Sequence, residues 1–158
     1  MKIGVMSDTH GDLSSAEKAI KAMGHIDLLI HAGDTFRDAM LLKEKTGIDV
    51  VAVKGNTDFD CEADLERIIS LGKKRIFLTH GHVYNVKFSL DRLYYRALET
   101  DSDIVIFGHS HMGTLITEKD ITFLNPGSVS RPRGGTNPSY AVINVVKEAF
   151  EIELHDLD

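Results

Sequence analysis

Between positions 8 and 111 the chain carries seven side chains suited to holding divalent cations, each placed just after an apolar run. "IGVMSDTH" ends in Asp8 and His10, "DLLIHAGD" in Asp34, "VVAVKGN" in Asn56, "RIFLTH" in His80, and "DIVIFGHSH" in His109 and His111. Imidazole nitrogens, carboxylate oxygens and one amide oxygen, without thiolate, suit divalent manganese, iron, cobalt, nickel or zinc rather than calcium. Seven protein ligands exceed what one transition metal accepts. They divide between two ions if one carboxylate is shared, with positions left for water and substrate. His109 and His111, alternate residues at a strand end, can then each reach a different ion. Two cations about 3.5–4 Å apart would generate hydroxide near neutral pH and offset negative charge that develops in a transition state, so metal-assisted hydrolysis is the expected chemistry.

Those residues need strands to bring them together. "KIGVMS" (2–7) reads as a strand, "SSAEKAIKAMG" (14–24) as an amphipathic helix capped by Ser14 or Ser15 and ended at Gly24, and "DLLIH" (27–31) as a second strand. A helix over 36–45, stopped by Gly47, precedes the β-branched strand "DVVAVK" (49–54). "DLERIISL" and "KRIFLTH" flank Gly72-Lys73 as a hairpin, and 89–100 is helical with Leu90, Leu93, Tyr94, Ala97 and Leu98 on one stripe. The last third reads as antiparallel strands around the loop "SRPRGGTNPS" (130–139). The carboxyl ends of neighbouring strands in such sheets converge on one crevice, which would gather all seven residues.

The ordered series "DTH" (8–10), "GD" (33–34), "GNTD" (55–58), "THGH" (79–82) and "GHSH" (108–111) resembles the calcineurin-like metallophosphoesterase superfamily. The short length, "LTHGH" and "NPGSVSRPR" (125–133) resemble its small YfcE-type phosphodiesterases. The resemblance implies an α/β fold over residues 1–158 as a single domain: two mixed β-sheets packed face to face with helices outside, a four-layer α-β-β-α sandwich. It implies a first ion on Asp8, His10, Asp34 and His111, and a second on Asp34, Asn56, His80 and His109, with Asp34 bridging. Mn2+ leads the candidates, and Asp34, Asn56 and His109 would act in catalysis through metal and phosphate positioning. The implied activity is a metal-dependent phosphodiesterase using a bridging hydroxide. The alternative on the same fold is a catalytically weak scaffold, as in the retromer subunit that resembles this family, and the intact ligand series favours catalysis. One position departs from many relatives: where they have histidine in "GNH", proposed to protonate the leaving group, Thr57 stands here. A hydroxyl supplies no proton in that pH range. Aryl phosphodiesters are therefore expected to turn over better than alkyl monoesters.

The resemblance implies a small phosphoester as partner, and composition argues against two other classes. A net charge of -6 and a pI near 5.7 argue against coating nucleic acid or an anionic membrane. Cys61 is the single cysteine, which excludes an internal disulfide and a thiolate zinc cage. With no apolar run long enough for a signal core or a membrane span, a cytoplasmic location is expected, and a homodimer could form through an exposed helix or strand edge. No G-x-x-x-x-G-K-[ST] or G-x-G-x-x-G occurs, which argues against nucleotide-triphosphatase and dinucleotide chemistry. Other residues keep two readings. "NPGS" (125–128) either approaches a phosphate through its amides or forms a plain turn, and Asp58 either orients a ligand histidine or caps an exposed turn. Arg131 and Arg133 read as solubilising charges, His31 and His82 as structural or supporting, His25 and His155 as solvent-facing, and Cys61 as an inert thiol.

Overall fold

Strands buried on both faces read as near-continuous apolar runs, and the alternation of their side chains decides which layer each touches. The computed structural model describes residues 1–158. One sheet contains β1 (Lys2–Met6), β2 (Leu28–His31), β3 (Asp49–Ala52), β9 (Ser139–Val146) and β10 (Ala149–Asp156), ordered β10-β9-β1-β2-β3. The other contains β4 (Glu66–Leu71), β5 (Lys74–Thr79), β6 (Ile104–Ile106), β7 (Thr114–Glu118) and β8 (Ile121–Asn125), ordered β4-β5-β6-β8-β7. Ile3, Val5, Leu28 and Ile30 of the first sheet meet Ile76, Leu78, Ile104 and Ile106 of the second in a shared core.

The alternate residues face outward onto helices. Met6, Leu29 and Val142 pack under α1 (Leu13–Met23) and α2 (Phe36–Thr46), while Phe77, Val105 and Phe123 pack under α3 (Asp91–Glu99). Helix, sheet, sheet and helix thus form the four layers that the resemblance implies. Both sheets are mixed: β1-β2-β3 and β5-β6-β8 are parallel, and β9, β10, β4 and β7 are antiparallel to their neighbours. No helix is long and apolar enough to cross a membrane.

Several local expectations are corrected. The cap of α1 is Asp12, whose carboxylate accepts from the Ser15 amide at 3.0 Å and from its hydroxyl, so neither Ser14 nor Ser15 fills that role. In the last third β8 lies parallel to β6, because the short β7 takes the edge. His155 does not face solvent freely but stacks on Tyr140, with centroids 5.3 Å apart; His25 is exposed. On α3, Leu93 and Ala97 are buried while Leu98 keeps 54% of its surface in water, one step off the stripe. Leu93→Ala should therefore cost about 3 kcal/mol in urea unfolding, and Leu98→Ala less than about 0.5 kcal/mol. Equal costs would contradict this packing.

Candidate metal centre

The carboxyl ends of β1, β2, β3, β5 and β6 point to one rim, and backbone bonds lace the loops that leave them. The Asp8 amide donates to the Gly33 carbonyl at 2.9 Å, and the Gly108 amide to the His80 carbonyl at 3.0 Å. Motif glycines let this rim close. A Cβ on Gly55 would meet Asp34 Cγ at 2.7 Å, and one on Gly108 would meet Asp8 Oδ2 at 2.6 Å. The glycines before Asn56 and His109 are thus sites where backbone and carboxylate approach within contact distance. Asp8, His10, Asp34, His109 and His111 themselves adopt left-handed backbone, with φ of 54°, 48°, 43°, 69° and 59°. Each departure costs a non-glycine residue about 1 kcal/mol or more.

Two buried carboxylates occupy the centre. Asp8 Oδ1 lies 3.1 Å from His111 Nε2 and 3.8 Å from the Nε2 atoms of His10 and His80. Asp34 Oδ2 lies 3.3 Å from His80 Nε2 and 3.9 Å from His10 Nε2, so it sits between the two rings. Asp8, His10 and His111 offer ligand atoms all within 4.8 Å of one another, and so do Asp8, Asp34 and His80. Asn56, exposed at the mouth, places Oδ1 3.1 Å from His80 Nε2. His109 packs its ring edge-on against His80 at 5.1 Å and donates its amide to Asp8 Oδ2, but it belongs to neither cluster.

This arrangement fits divalent cations. Asp8 Oδ1 is buried and has no partner of hydrogen-bond geometry, a costly state for a carboxylate unless a cation satisfies it. His10 and His111 bring their Nε2 atoms to 3.2 Å, so both rings present a nitrogen to the same point beside Asp8. The ring orientations agree. His80 Nδ1 donates to the Ala32 carbonyl at 2.7 Å and His111 Nδ1 to the Arg131 carbonyl at 2.6 Å, which leaves each Nε2 free as a ligand. Sulfur is absent from the set, so its chemistry matches that expected from the sequence.

Electrostatics follow from the same crowding. Burial raises the pKa of Asp8, but the imidazole of His111, the charge of His80 and the Ser7 hydroxyl outweigh it and hold the carboxyl below its usual range. Asp34 is held well below that range: burial is overcome by His80 and by the Thr57 amide, which donates to Oδ1 at 3.1 Å. Burial depresses His80, yet Asp34, Asp8 and the Ala32 carbonyl leave it raised. His109 is pushed down to about 4 by burial and by the charges of His80 and Lys87.

A network that no motif announces holds the D-T-H loop. The Gly33 amide donates to His31 Nδ1 at 3.2 Å, so the proton resides on Nε2 and is donated to Thr9 Oγ1 at 3.1 Å. Thr9 donates in turn to Asp38 Oδ2 at 2.6 Å, which also accepts from the Gly11 amide at 2.8 Å. Thr9 separates the candidate ligands Asp8 and His10, so this chain sets their relative orientation. The "NPGS" segment proves to be a buttress. Its Gly127 amide is engaged by Asn125 Oδ1 at 2.9 Å, and its Ser128 hydroxyl donates to the Asp8 carbonyl at 2.8 Å. Asp58 does neither of the things expected: its oxygens accept from the amides of Phe36 (2.9 Å) and Gly55 (2.8 Å), clamping the β2 and β3 loops together. Arg131 and Arg133 are exposed, and His82 stands half-buried beside the rings of His80 and His109.

Residues 1–148 match the Calcineurin-like phosphoesterase superfamily domain. The chain belongs to this superfamily. It is 32% identical over 159 residues to the probable metallophosphoesterase YsnB of Bacillus subtilis, covering 99% of this chain and 91% of that one. The phosphodiesterase YfcE of Escherichia coli is 28% identical over 169 residues, covering 91% and 88%. A predicted phosphoesterase from Streptococcus pneumoniae, known from its crystal structure, superposes with a TM-score of 0.83 at 33% identity over 99% of this chain and 92% of that one. The calcineurin-like fold thus extends over nearly the whole chain, in agreement with the sandwich described above.

Two outcomes test this centre. Gly55→Ala should displace Asp34 and weaken divalent-metal binding about 10–100-fold by calorimetry, with circular dichroism as the check on folding; wild-type affinity would contradict the close approach. His31 is pushed down to about 4, chiefly by burial. An unfolded histidine takes up its proton near pH 6.5, so between about 6.5 and 4 the unfolded state binds more protons and stability falls as pH falls. That contribution amounts to about 3 kcal/mol. His31→Gln should flatten the pH dependence of the urea midpoint in this window by about one proton, and an unchanged slope would refute the neutral buried state.

Proposed function

We propose that the chain is a metal-dependent phosphodiesterase that hydrolyses a small phosphoester at a dinuclear centre. The observation that carries the reading is the pair of buried carboxylates, Asp8 and Asp34, set 3.1–3.9 Å from imidazole Nε2 atoms with one carboxylate oxygen left without a hydrogen-bond partner. Asp8, His10, Asp34 and His111 would hold the first ion, and Asp34, Asn56, His80 and His109 the second. What a bound pair of divalent cations, Mn2+ first among them, supplies here is a hydroxide nucleophile near neutral pH and compensation for phosphoryl charge. The chain does the rest. Asp34 Oδ2 lies between the rings of His10 and His80 and would be shared by both ions, although Asp8 is the residue common to the two clusters of ligand atoms; the His109 amide and Ser7 hydroxyl hold Asp8 Oδ2 and so aim Oδ1 at the imidazoles. The exposed charges of Lys87 and Arg131 act to lower the pKa values of His109 and His10, and positive charge on this side of the molecule would favour the approach of an anionic ester.

Thr57 offers its amide to Asp34 and no acid to a departing oxygen. Esters with acidic leaving groups are therefore favoured over those whose departing oxygen needs a proton. The scaffold reading has no comparable support, because every position of the ligand series keeps a coordinating side chain at one rim.

Metal titration with bis(p-nitrophenyl) phosphate tests the proposal. Mn2+ should switch on turnover, faster than on a simple sugar phosphate. Native mass spectrometry should find two ions per chain, one in His10→Ala and none in Asp34→Ala. Absence of metal-dependent turnover of any ester would return the chain to the scaffold class.

A further inference from the structure

Phe59 keeps 88% of its surface in water and Phe88 keeps 84%, further exposed than any other large apolar side chain. Leaving a phenylalanine in solvent forgoes about 1.5–3 kcal/mol of burial, so an exposed ring beside a site calls for an occupant. Only one of the two lines a cleft. Phe59, Phe36, Met40, Arg37, Thr57 and Asp60 are among the residues that bound a depression of about 480 Å³, the size of a small-molecule subsite.

The walls of this cleft are the metal loops themselves. Thr57 follows Asn56 and donates its amide to Asp34 at 3.1 Å, and Phe36 lies two residues beyond Asp34 on the first turn of α2. Asp58 clamps the two walls through the amides of Phe36 and Gly55, so both its oxygens are engaged and Arg37 stands exposed at the opening. Because Thr57 borders both the cleft and Asp34, a phosphodiester at the centre can extend one of its two arms into the cleft. A departing arm there would find no acid at Thr57, which assigns the cleft to the arm that phosphorus retains. Three apolar side chains, the Arg37 guanidinium and the Asp60 carboxylate match a planar aromatic group, whose face stacks on the exposed ring and whose polar edge meets the two charged side chains.

We propose that the cleft between α2 and the 57–61 loop binds the retained ester arm and takes a planar aromatic group, a nucleobase in biological substrates, with Phe59 as its specificity-determining residue. This rests on the phosphodiesterase reading, and the experiment separates the two. Three esters sharing a p-nitrophenolate leaving group are compared on the Mn2+-loaded protein: thymidine 5′-(p-nitrophenyl) phosphate, hexyl p-nitrophenyl phosphate and methyl p-nitrophenyl phosphate. The thymidine ester should exceed the methyl ester about tenfold in kcat/KM, mainly through KM, and Phe59→Ala and Phe59→Leu should shrink the gap to about twofold while leaving the methyl ester unchanged. Phe88→Ala should keep the full preference. Equal rates in the wild type, a preference that survives Phe59→Ala, or a hexyl ester as good as the thymidine ester would overturn the aromatic subsite and leave the phosphodiesterase standing. If no ester is turned over, calorimetry with thymidine 5′-phosphate decides the cleft alone: binding abolished by Phe59→Ala upholds it, and no binding to the wild type sinks it.

Discussion

Everything in this molecule is arranged around two carboxylates that would be intolerable where they stand without positive charge beside them. Asp8 and Asp34 are almost wholly buried, and the groups beside them that can carry positive charge are imidazoles, assisted by the Ser7 hydroxyl and the amides of His109 and Thr57. In a low-dielectric pocket an uncompensated anion drives its own neutralisation, by proton or by metal. The carbonyls of Ala32 and Arg131 take the Nδ1 protons of His80 and His111 and so aim both Nε2 atoms at the carboxylates, where each can hold either a proton or a metal. A cation satisfies the carboxylates and gives the converging imidazole nitrogens a common partner.

The sandwich exists in the form it does because that constraint needs convergence. Two sheets packed through Ile3, Val5, Ile76 and Ile104 align five strand ends, three in one sheet and two in the other, over a common rim. A sixth end, that of β8, contributes no candidate ligand. Its Asn125 amide group donates to the Gly108 carbonyl and its following Ser128 reaches the Asp8 carbonyl, so the strand reinforces loops contributed by others. The same division holds on the far side, where His31, Thr9 and Asp38 brace the first loop from beneath. Candidate ligands and braces alternate around the rim, and the braces outnumber what any short motif encodes.

The candidate ligands were legible in the sequence because metal-binding side chains at the ends of apolar runs combine two signals, residue chemistry and strand termination. The layers were legible for a related reason: runs such as "IGVM" and "IVIF" are too uniformly apolar for strands with a wet face. The braces were not, since Thr9, Asp38 and Ser128 belong to types that occur everywhere on surfaces and in turns, and only their burial sets them apart. Asp58 misled for the same reason: its motif neighbours suggested a histidine partner, whereas two backbone amides claim it. Leu98 and the parallel β8 record a different limit, because a helix stripe is read to within a residue and strand order is decided by contacts far away in sequence.

The left-handed backbone at Asp8, His10, Asp34, His109 and His111 sets stability and metal chemistry against each other. Glycine or asparagine would relax the chain at each of these places, so selection for thermal robustness alone would erode the coordinating set one position after another. A version of this protein hardened by such changes would be sturdier and chemically inert, and a descendant freed from its reaction would drift first at these five positions.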